Sequence, residues 1–268
     1  MNAKKQFGQN FLTDPRIPRR IVELSGVGPE DCVIEIGPGH GILTRELAAR
    51  ALRVAAVEID GDLVPELRAK FADTPNVSIT EGDFLQTDVK ALANGLSGGK
   101  RVCVCANIPY YITSPIILKL LEERECVRSF TVMVQKEFAE RLCAKKGSAD
   151  YSSLTVLCSY YASVKKLFAV PAGCFTPRPK VDSAVIRLDL YDTPAASPKD
   201  EKLFLELIRS AFAYRRKTLF NCVQSTHGAR FSKEKLVQAF EKAALAPSVR
   251  GEELDIFDIC RLSDALSE

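Results

Sequence analysis

Four short stretches of this chain carry residue types at spacings that could do chemistry. In Glu35-Ile36-Gly37-Pro38-Gly39-His40-Gly41 three alternate glycines follow a Val/Ile run, so the backbone can turn sharply and a ligand can approach the main chain closely. Glu58 ends the next apolar run, twenty-one residues beyond Gly37. An acid there can accept hydrogen bonds from both ribose hydroxyls of an adenosine-containing cofactor. A third run ends in Glu81-Gly82-Asp83-Phe84, where Asp83 could accept from an exocyclic amine while Phe84 packs an adenine face. The fourth is Asn107-Ile108-Pro109-Tyr110: an amide, a stiffened backbone and an aromatic face after the buried run VCVCA. An aromatic amine is a poor nucleophile because its lone pair is delocalised into the ring. The Asn107 side-chain oxygen with the Pro109 or Ile108 carbonyl would accept both N–H groups, favour a pyramidal nitrogen and aim the freed lone pair. Tyr110 offers a flat face to hold the base, and positioning within about 3–3.5 Å supplies much of the acceleration in such transfers. No acid, base or metal is needed before the transfer.

Two cofactors compete for the glycine loop. The dinucleotide fingerprint is G-x-G-x-x-G, whereas the spacing here is G-x-G-x-G, with Ile42 where the third glycine should fall. S-adenosylmethionine has no pyrophosphate to seat on a helix N-terminus, so it does not require that approach. The loop, Glu58 and Asp83 in chain order therefore favour S-adenosylmethionine, with S-adenosylhomocysteine as product. His40 reads as a loop filler. The nine cysteines sit inside apolar runs with no C-x-x-C pair, and only two histidines accompany them, so buried reduced thiols are expected rather than zinc or disulfides. The chain also lacks a plausible Ser/His/Asp set, which argues against nucleophilic catalysis.

The elements that must position these groups follow from periodicity. DCVIEIG, RVAAVEID, NVSITEGD, RVCVCANI and FTVMVQ read as short buried strands, with helical spacing in LTRELAAR, GDLVPELRAKF, SPIILKLLEE and EFAERLCAK. Continuous Val/Ile-rich strands with helical crossovers imply an α/β fold, a Rossmann-like, mostly parallel sheet covered on both faces. VKKLFAV and AVIRLDL flank a proline-rich loop and could form an antiparallel edge. In a doubly wound sheet ligands bind outside the carboxyl ends of the strands, which puts Asn107 to Tyr110 beside the cofactor. Residues 1–190 are expected to form this domain, residues 191–199 a linker, and residues 200–268 a small all-α domain. The 268 residues, 46% of them hydrophobic, suffice for one core and a smaller second one. No apolar run reaches the roughly 18 residues of a membrane span, and the N-terminus lacks a signal-peptide core. A soluble, cytoplasmic protein is expected. The net charge is only +3, but Lys4, Lys5, Arg16, Arg19 and Arg20 crowd the first twenty residues, and Arg215-Arg216-Lys217 form a second cluster. Patches like these suit a polyanion that touches part of the surface.

Taken together the motifs resemble those of the KsgA/RsmA-type small-subunit rRNA adenine-N6,N6-dimethyltransferases over nearly the whole chain. KKQFGQNFL, residues 4–12, resembles the family's K-K-x-L-G-Q-N-F-L, with Phe7 in place of the usual leucine. EIGPGHGILT, NIPY, FTPRPKVDS (residues 175–183), FAYRRKTLFN (residues 212–221) and RGEEL (residues 250–254) resemble its other signatures. The resemblance implies S-adenosylmethionine contacts from Asn10, Leu12, Gly37, Glu58, Asp83 and Asn107, and a target adenosine held between Tyr110 and Phe175 beside the Asn107 amide and Pro109. It also implies dimethylation of two adjacent adenosines in the 3′-terminal hairpin loop of 16S rRNA, in the small ribosomal subunit or its late assembly precursor. Base–aromatic stacking, about 1–3 kcal/mol per base, would offset the cost of unstacking the target.

Within that family residues 1–20 are expected to act as a basic arm or lid over the cofactor, and Lys4, Lys5, Arg215, Arg216 and Lys217 to contact phosphates. No metal, no membrane and no more than a monomer is called for. Two readings compete. One is the resistance-type dimethylase of large-subunit rRNA, against which KKQFGQNFL, FAYRRKTLFN and RGEEL argue. The other is an assembly factor whose methylation is secondary or lost, against which intact Glu58, Asp83 and NIPY argue. A nicotinamide dehydrogenase stands further off, since Ile42 breaks its fingerprint and a hydride-relay histidine is missing.

Overall fold

A parallel sheet covered on both faces needs strands that are apolar throughout rather than alternating, and the central runs of this chain meet that requirement. The computed structural model describes residues 4, 7–214 and 216–268. Labelled in chain order, the strands of the main sheet are β2 (Cys32–Ile36), β3 (Arg53–Glu58), β4 (Val77–Glu81), β5 (Val102–Asn107), β6 (Val127–Gln135), β7 (Ala162–Val170) and β9 (Ser183–Leu190). They pair in the order β4-β3-β2-β5-β6-β9-β7. All five residues of β2 are buried, whereas β4, on the edge, is mostly exposed. Neighbours from β4 to β6 run parallel, and the register sets Glu35 beside Ala56 on β3 and Cys105 on β5. β9 runs antiparallel to β6, Met133 facing Val185, so it lies inside the sheet and β7 takes the edge. A separate two-stranded ribbon pairs β1 (Phe11–Leu12) with β8 (Phe175–Thr176).

Helices α1 (Arg16–Leu24), α2 (Ile42–Ala48), α3 (Val64–Lys70), α4 (Val89–Ser97) and α5 (Thr113–Glu122) alternate with these strands. Asp88 caps α4 by accepting from the Ala91 N–H at 2.8 Å, and Gly98 closes it in the left-handed conformation. The stretch expected as a basic arm over residues 1–20 is in fact divided, because its second half is α1. Pro18 is tolerated there because it sits in the first turn, where an N–H has no helical partner. Ile21 and Val22 anchor α1 in the core, together with Leu12, Val33, Leu43, Leu47, Cys105, Met133 and Phe175.

The chain divides into two compact units: residues up to Ala139 with Val164–Leu190, and Glu140–Ser163 with Tyr191–Glu268. The second unit therefore recruits a segment from inside the stretch expected to belong wholly to the first. After α6 (Lys136–Leu142), that segment forms α7 (Ser153–Tyr161), started by a Ser152–Thr155 capping box. The Tyr160 ring packs at 4.8 Å from Phe204 of α8 (Glu201–Ala211), and the Tyr160 and Tyr161 hydroxyls both donate to Glu201. α9 (Leu219–His227), α10 (Lys233–Lys242) and α11 (Ile256–Ser267) complete the unit, each opened by a side-chain cap from Thr218, Ser232 or Asp255. Among the described residues no helix is long and apolar enough to cross a membrane.

Candidate active site

The carboxyl ends of β3, β2 and β5 carry Glu58, the glycine loop and Asn107, on three adjacent strands. At about 4.8 Å per strand, the outer two tips lie about 10 Å apart. A cavity opens across them, lined by Glu35, Gly37, Glu58, Asn107, Tyr110 and Phe175 and walled by Phe7 to Leu12. Gly37 has φ of +64°, and a Cβ built on it would meet no atom within 4 Å, so the loop leaves room on that side. Gly39 and Gly41 are tighter. A Cβ on Gly39 would press on the Phe11 ring at 3.1 Å, and one on Gly41 would meet Phe71 at 2.6 Å.

Glu58 fastens the loop from below. Its Oε2 accepts from the Gly39 N–H at 3.0 Å and its Oε1 from the Asp60 N–H at 2.9 Å. Burial raises its pKa, and these N–H groups oppose the rise. A carboxylate has about four acceptor positions, so two remain for a ligand's hydroxyls. Glu35 is more extreme: it is 1% exposed, and burial raises its pKa to about 8, aided by the nearby Glu58. Its Oε2 is buried without a hydrogen-bond partner.

The opposite wall is built for a flat ring. Asn107 Nδ2 donates to the Asn10 carbonyl at 3.1 Å, which fixes the amide and leaves Oδ1 as the acceptor end. The Pro109 carbonyl is turned into the following 3-10 turn, where it accepts from the Ile112 N–H at 3.2 Å. The Tyr110 hydroxyl lies 2.7 Å from Ser183 Oγ, and Ser183 is fully buried. Burial raises the Tyr110 pKa against the effect of that hydrogen bond. Phe175 is 4% exposed; it is held by the ribbon partner Leu12 and by the Thr13 N–H, which donates to the Cys174 carbonyl at 2.9 Å.

The cavity thus brings together Asn10, Leu12, Gly37, Glu58, Asn107, Pro109, Tyr110 and Phe175 of the residues expected from sequence. Asp83 and Phe84 are not among its lining residues: Asp83 Oδ1 accepts from the Leu85 N–H at 2.9 Å, and Phe84 is buried. Lys4, expected on RNA, is instead paired with Asp60 at 2.6 Å and Asp62 at 2.5 Å, and Gln9 donates to the other Asp60 oxygen. Those contacts clasp the arm to the end of β3. In the helical unit Arg216 and Lys217 are exposed, with the Lys217 ammonium 4.2 Å from the Tyr214 ring centroid. Lys5 and Arg215 lie outside the described residues. Sequence reasoning missed Glu35, Ser183 and the lining role of His40, whose ring packs 4.4 Å from Phe11. For Glu35 the signal was present, an acid inside an otherwise apolar strand. Among the described residues no group of three or more His, Cys, Asp or Glu side chains could hold a metal ion.

A family model described as ribosomal RNA adenine dimethylase matches residues 1–266. The chain is 45% identical over 266 residues to a ribosomal RNA small subunit methyltransferase A of Caldanaerobacter subterraneus subsp. tengcongensis, covering 99% of this chain and 98% of that one. It is 43% identical over 264 residues to the protein of the same name from Shouchella clausii, covering 98% and 89%. Among solved structures it resembles a dimethyladenosine transferase from Plasmodium falciparum, with 28% identity, a TM-score of 0.80 and coverage of 94% and 95%. It also resembles the 23S rRNA methyltransferase ErmE, with 28% identity, a TM-score of 0.73 and coverage of 97% and 100%.

Proposed function

This chain belongs to the ribosomal RNA adenine dimethylase family, and on that footing we propose that it uses S-adenosylmethionine to dimethylate N6 of two adjacent adenosines in the 3′-terminal hairpin loop of 16S rRNA, in the small subunit or its late precursor. The observation that carries the reading is the Asn107–Tyr110 wall facing the Glu58–Gly37 wall across one cavity. The residues fit the cofactor: Gly37 leaves room beside its backbone, and Glu58 retains acceptor capacity for the ribose hydroxyls. Asp83, two residues past the end of β4 and outside the lining of the cavity, is assigned to the cofactor's adenine amine on the strength of the family resemblance alone. When bound, the cofactor supplies a methyl group made electrophilic by its sulfonium.

The chain's residues do the rest. The Asn107 Oδ1 and the Ile108 carbonyl accept the two N–H groups of the target amine, since the Pro109 carbonyl is already engaged. Held this way, the nitrogen is pyramidal and its lone pair is aimed across the cavity. Tyr110 and Phe175 hold the adenine ring, and Ser183 fixes the tilt of Tyr110. Once the nitrogen has taken the methyl group it is positively charged and releases one proton to solvent; the methylated amine then keeps one N–H, so the second transfer uses the same acceptors, one of them now idle. Arg216 and Lys217 serve as phosphate contacts. The small-subunit target is supported by relatives at 43–45% identity that carry that name, against 28% for the large-subunit enzyme.

The test is methyl transfer from labelled S-adenosylmethionine to undermethylated small subunits, to large-subunit rRNA and to no RNA, with the digested product read for dimethyladenosine. Label as dimethyladenosine in small subunits alone is expected. Label in large-subunit rRNA would move the chain to the resistance-type branch. Tight binding to small subunits with no label would make it an assembly factor.

A further inference from the structure

Glu35 is a carboxyl group in the wrong surroundings for an ordinary strand residue. It projects from the middle of the sheet toward the face where Leu12, Leu43, Leu47, Cys105 and Phe175 pack as core. It is 1% exposed, it lines the cavity, and its Oε2 is buried with no hydrogen-bond partner. A buried carboxyl oxygen without a partner in hydrogen-bond geometry costs stability, and the neighbouring Thr44 hydroxyl and N–H offset that cost only in part, since burial still outweighs them in raising the Glu35 pKa. The groups facing it are the Thr44 hydroxyl and N–H from α2, Glu58 from β3, and Cys105 from β5. The Thr44 groups favour the charged carboxyl, yet neither the Thr44 hydroxyl nor Glu35 Oε2 has a partner within hydrogen-bond geometry, so this oxygen keeps its acceptor capacity. Arg187 of β9, a cation whose field reaches Cys105 on this face, is committed to Asp189 at 2.6 Å and to the Leu24 carbonyl at 3.2 Å. The carboxyl's partner is therefore to be sought in the cavity, and its chemistry is that of a small cation with N–H donors.

Resting on the cofactor assignment above, we propose that Glu35 is the counter-ion of the ammonium group on the cofactor's amino-acid end, and that the cofactor enters with loss of the proton the buried carboxyl otherwise carries. The balance is simple: the neutral acid and the ammonium-bearing ligand combine, one proton leaves to solvent, and no covalent bond changes. With the site open, burial holds the Glu35 pKa at about 8, so the group is mostly neutral at pH 7. A cation against the carboxylate favours the charged form and lowers that pKa. Between the bound and open values, affinity rises as pH rises, because less work goes into removing the proton. If the bound value lies well below 6, an open value of about 8 makes ligand affinity climb roughly tenfold from pH 6 to pH 7, with about 0.9 proton released at pH 7.

The experiment is titration calorimetry of the whole protein with S-adenosylhomocysteine, which keeps the ammonium, at about pH 6, 7 and 8 in buffers of different ionisation heat, a span over which the expected slope is resolved. 5′-Methylthioadenosine, which lacks the amino-acid end, is the comparison ligand. Near-complete proton release and the tenfold climb are expected for S-adenosylhomocysteine alone, and Glu35→Gln should abolish both. No release and flat affinity would overturn the proposal while leaving the cofactor assignment standing. Equal release with 5′-methylthioadenosine would overturn it too, by assigning the proton to another group such as Glu58. S-adenosylhomocysteine failing to bind at any pH would overturn the cofactor assignment and this proposal together. Should the Gln variant not fold, the two-ligand comparison on the wild-type protein decides alone.

Discussion

Asn107→Ala separates the chemistry of the target amine from the grip on the cofactor, because the two ends of this amide do different things. Oδ1 is assigned to the amine, whereas Nδ2 donates to the Asn10 carbonyl and ties the arm to the tip of β5. Positive charge develops on the nitrogen as the methyl group arrives, so the acceptor acts most strongly in the transition state. Removing one such preorganised partner costs about 10²–10³ in rate. The amide–carbonyl bond that the variant cannot make is worth about 0.5–1.5 kcal/mol, which weakens cofactor binding about two- to tenfold. Single-turnover methyl transfer with excess enzyme and saturating cofactor, alongside calorimetry with S-adenosylhomocysteine, reads the two effects apart. A rate within about threefold of wild type would remove Asn107 from the mechanism, given the 10²-fold floor. So would a loss that vanishes once the cofactor is saturating.

Ser183→Ala should weaken RNA turnover mainly through KM, and in a Tyr110→Phe background it should add nothing, since both changes break one 2.7 Å hydrogen bond. Additive losses in that cycle would give Ser183 a separate role. Arg216→Ala/Lys217→Ala should flatten the salt dependence of small-subunit binding by about 0.7–0.9 in slope for each phosphate no longer neutralised; an unchanged slope returns the pair to plain solvated charge. Gly41→Ala should destabilise the fold, with about 1–2 kcal/mol of left-handed strain and about 1–3 kcal/mol of overpacking against Phe71. At about 2–4 °C per kcal/mol that is a fall of about 4–20 °C in Tm, and an unchanged Tm would contradict the packing described.

The parallel strands were legible because burial on both faces forces unbroken apolar runs, and the site followed because its residues sit where those runs stop. That Glu58 and Asn107 would line one cavity could be expected from position alone. The helices that escaped did so for local reasons. In α1 a proline and several arginines masked the two residues, Ile21 and Val22, that anchor it. α7 mixes Ser, Thr, Val, Cys and Tyr, residues of modest helix propensity, with two leucines, and only the Ser152–Thr155 box marks its start. Pairings distant in sequence were out of reach: Tyr110 and Ser183 are 73 residues apart, and Lys4 and Asp60 are 56 apart. Nothing in the sequence of β2 says that one Glu35 oxygen will be buried without a partner.

The most direct measurement is a crystal structure of the protein with S-adenosylhomocysteine and an adenosine nucleotide in the cavity. Glu58 on both ribose hydroxyls of the cofactor, and the target N6 within hydrogen-bond distance of the Asn107 Oδ1 and the Ile108 carbonyl between Tyr110 and Phe175, is the expected result. A cofactor seated away from Gly37 and Glu58, or a target amine that does not reach Asn107, would contradict the assignment of this cavity as the site of N6 methylation.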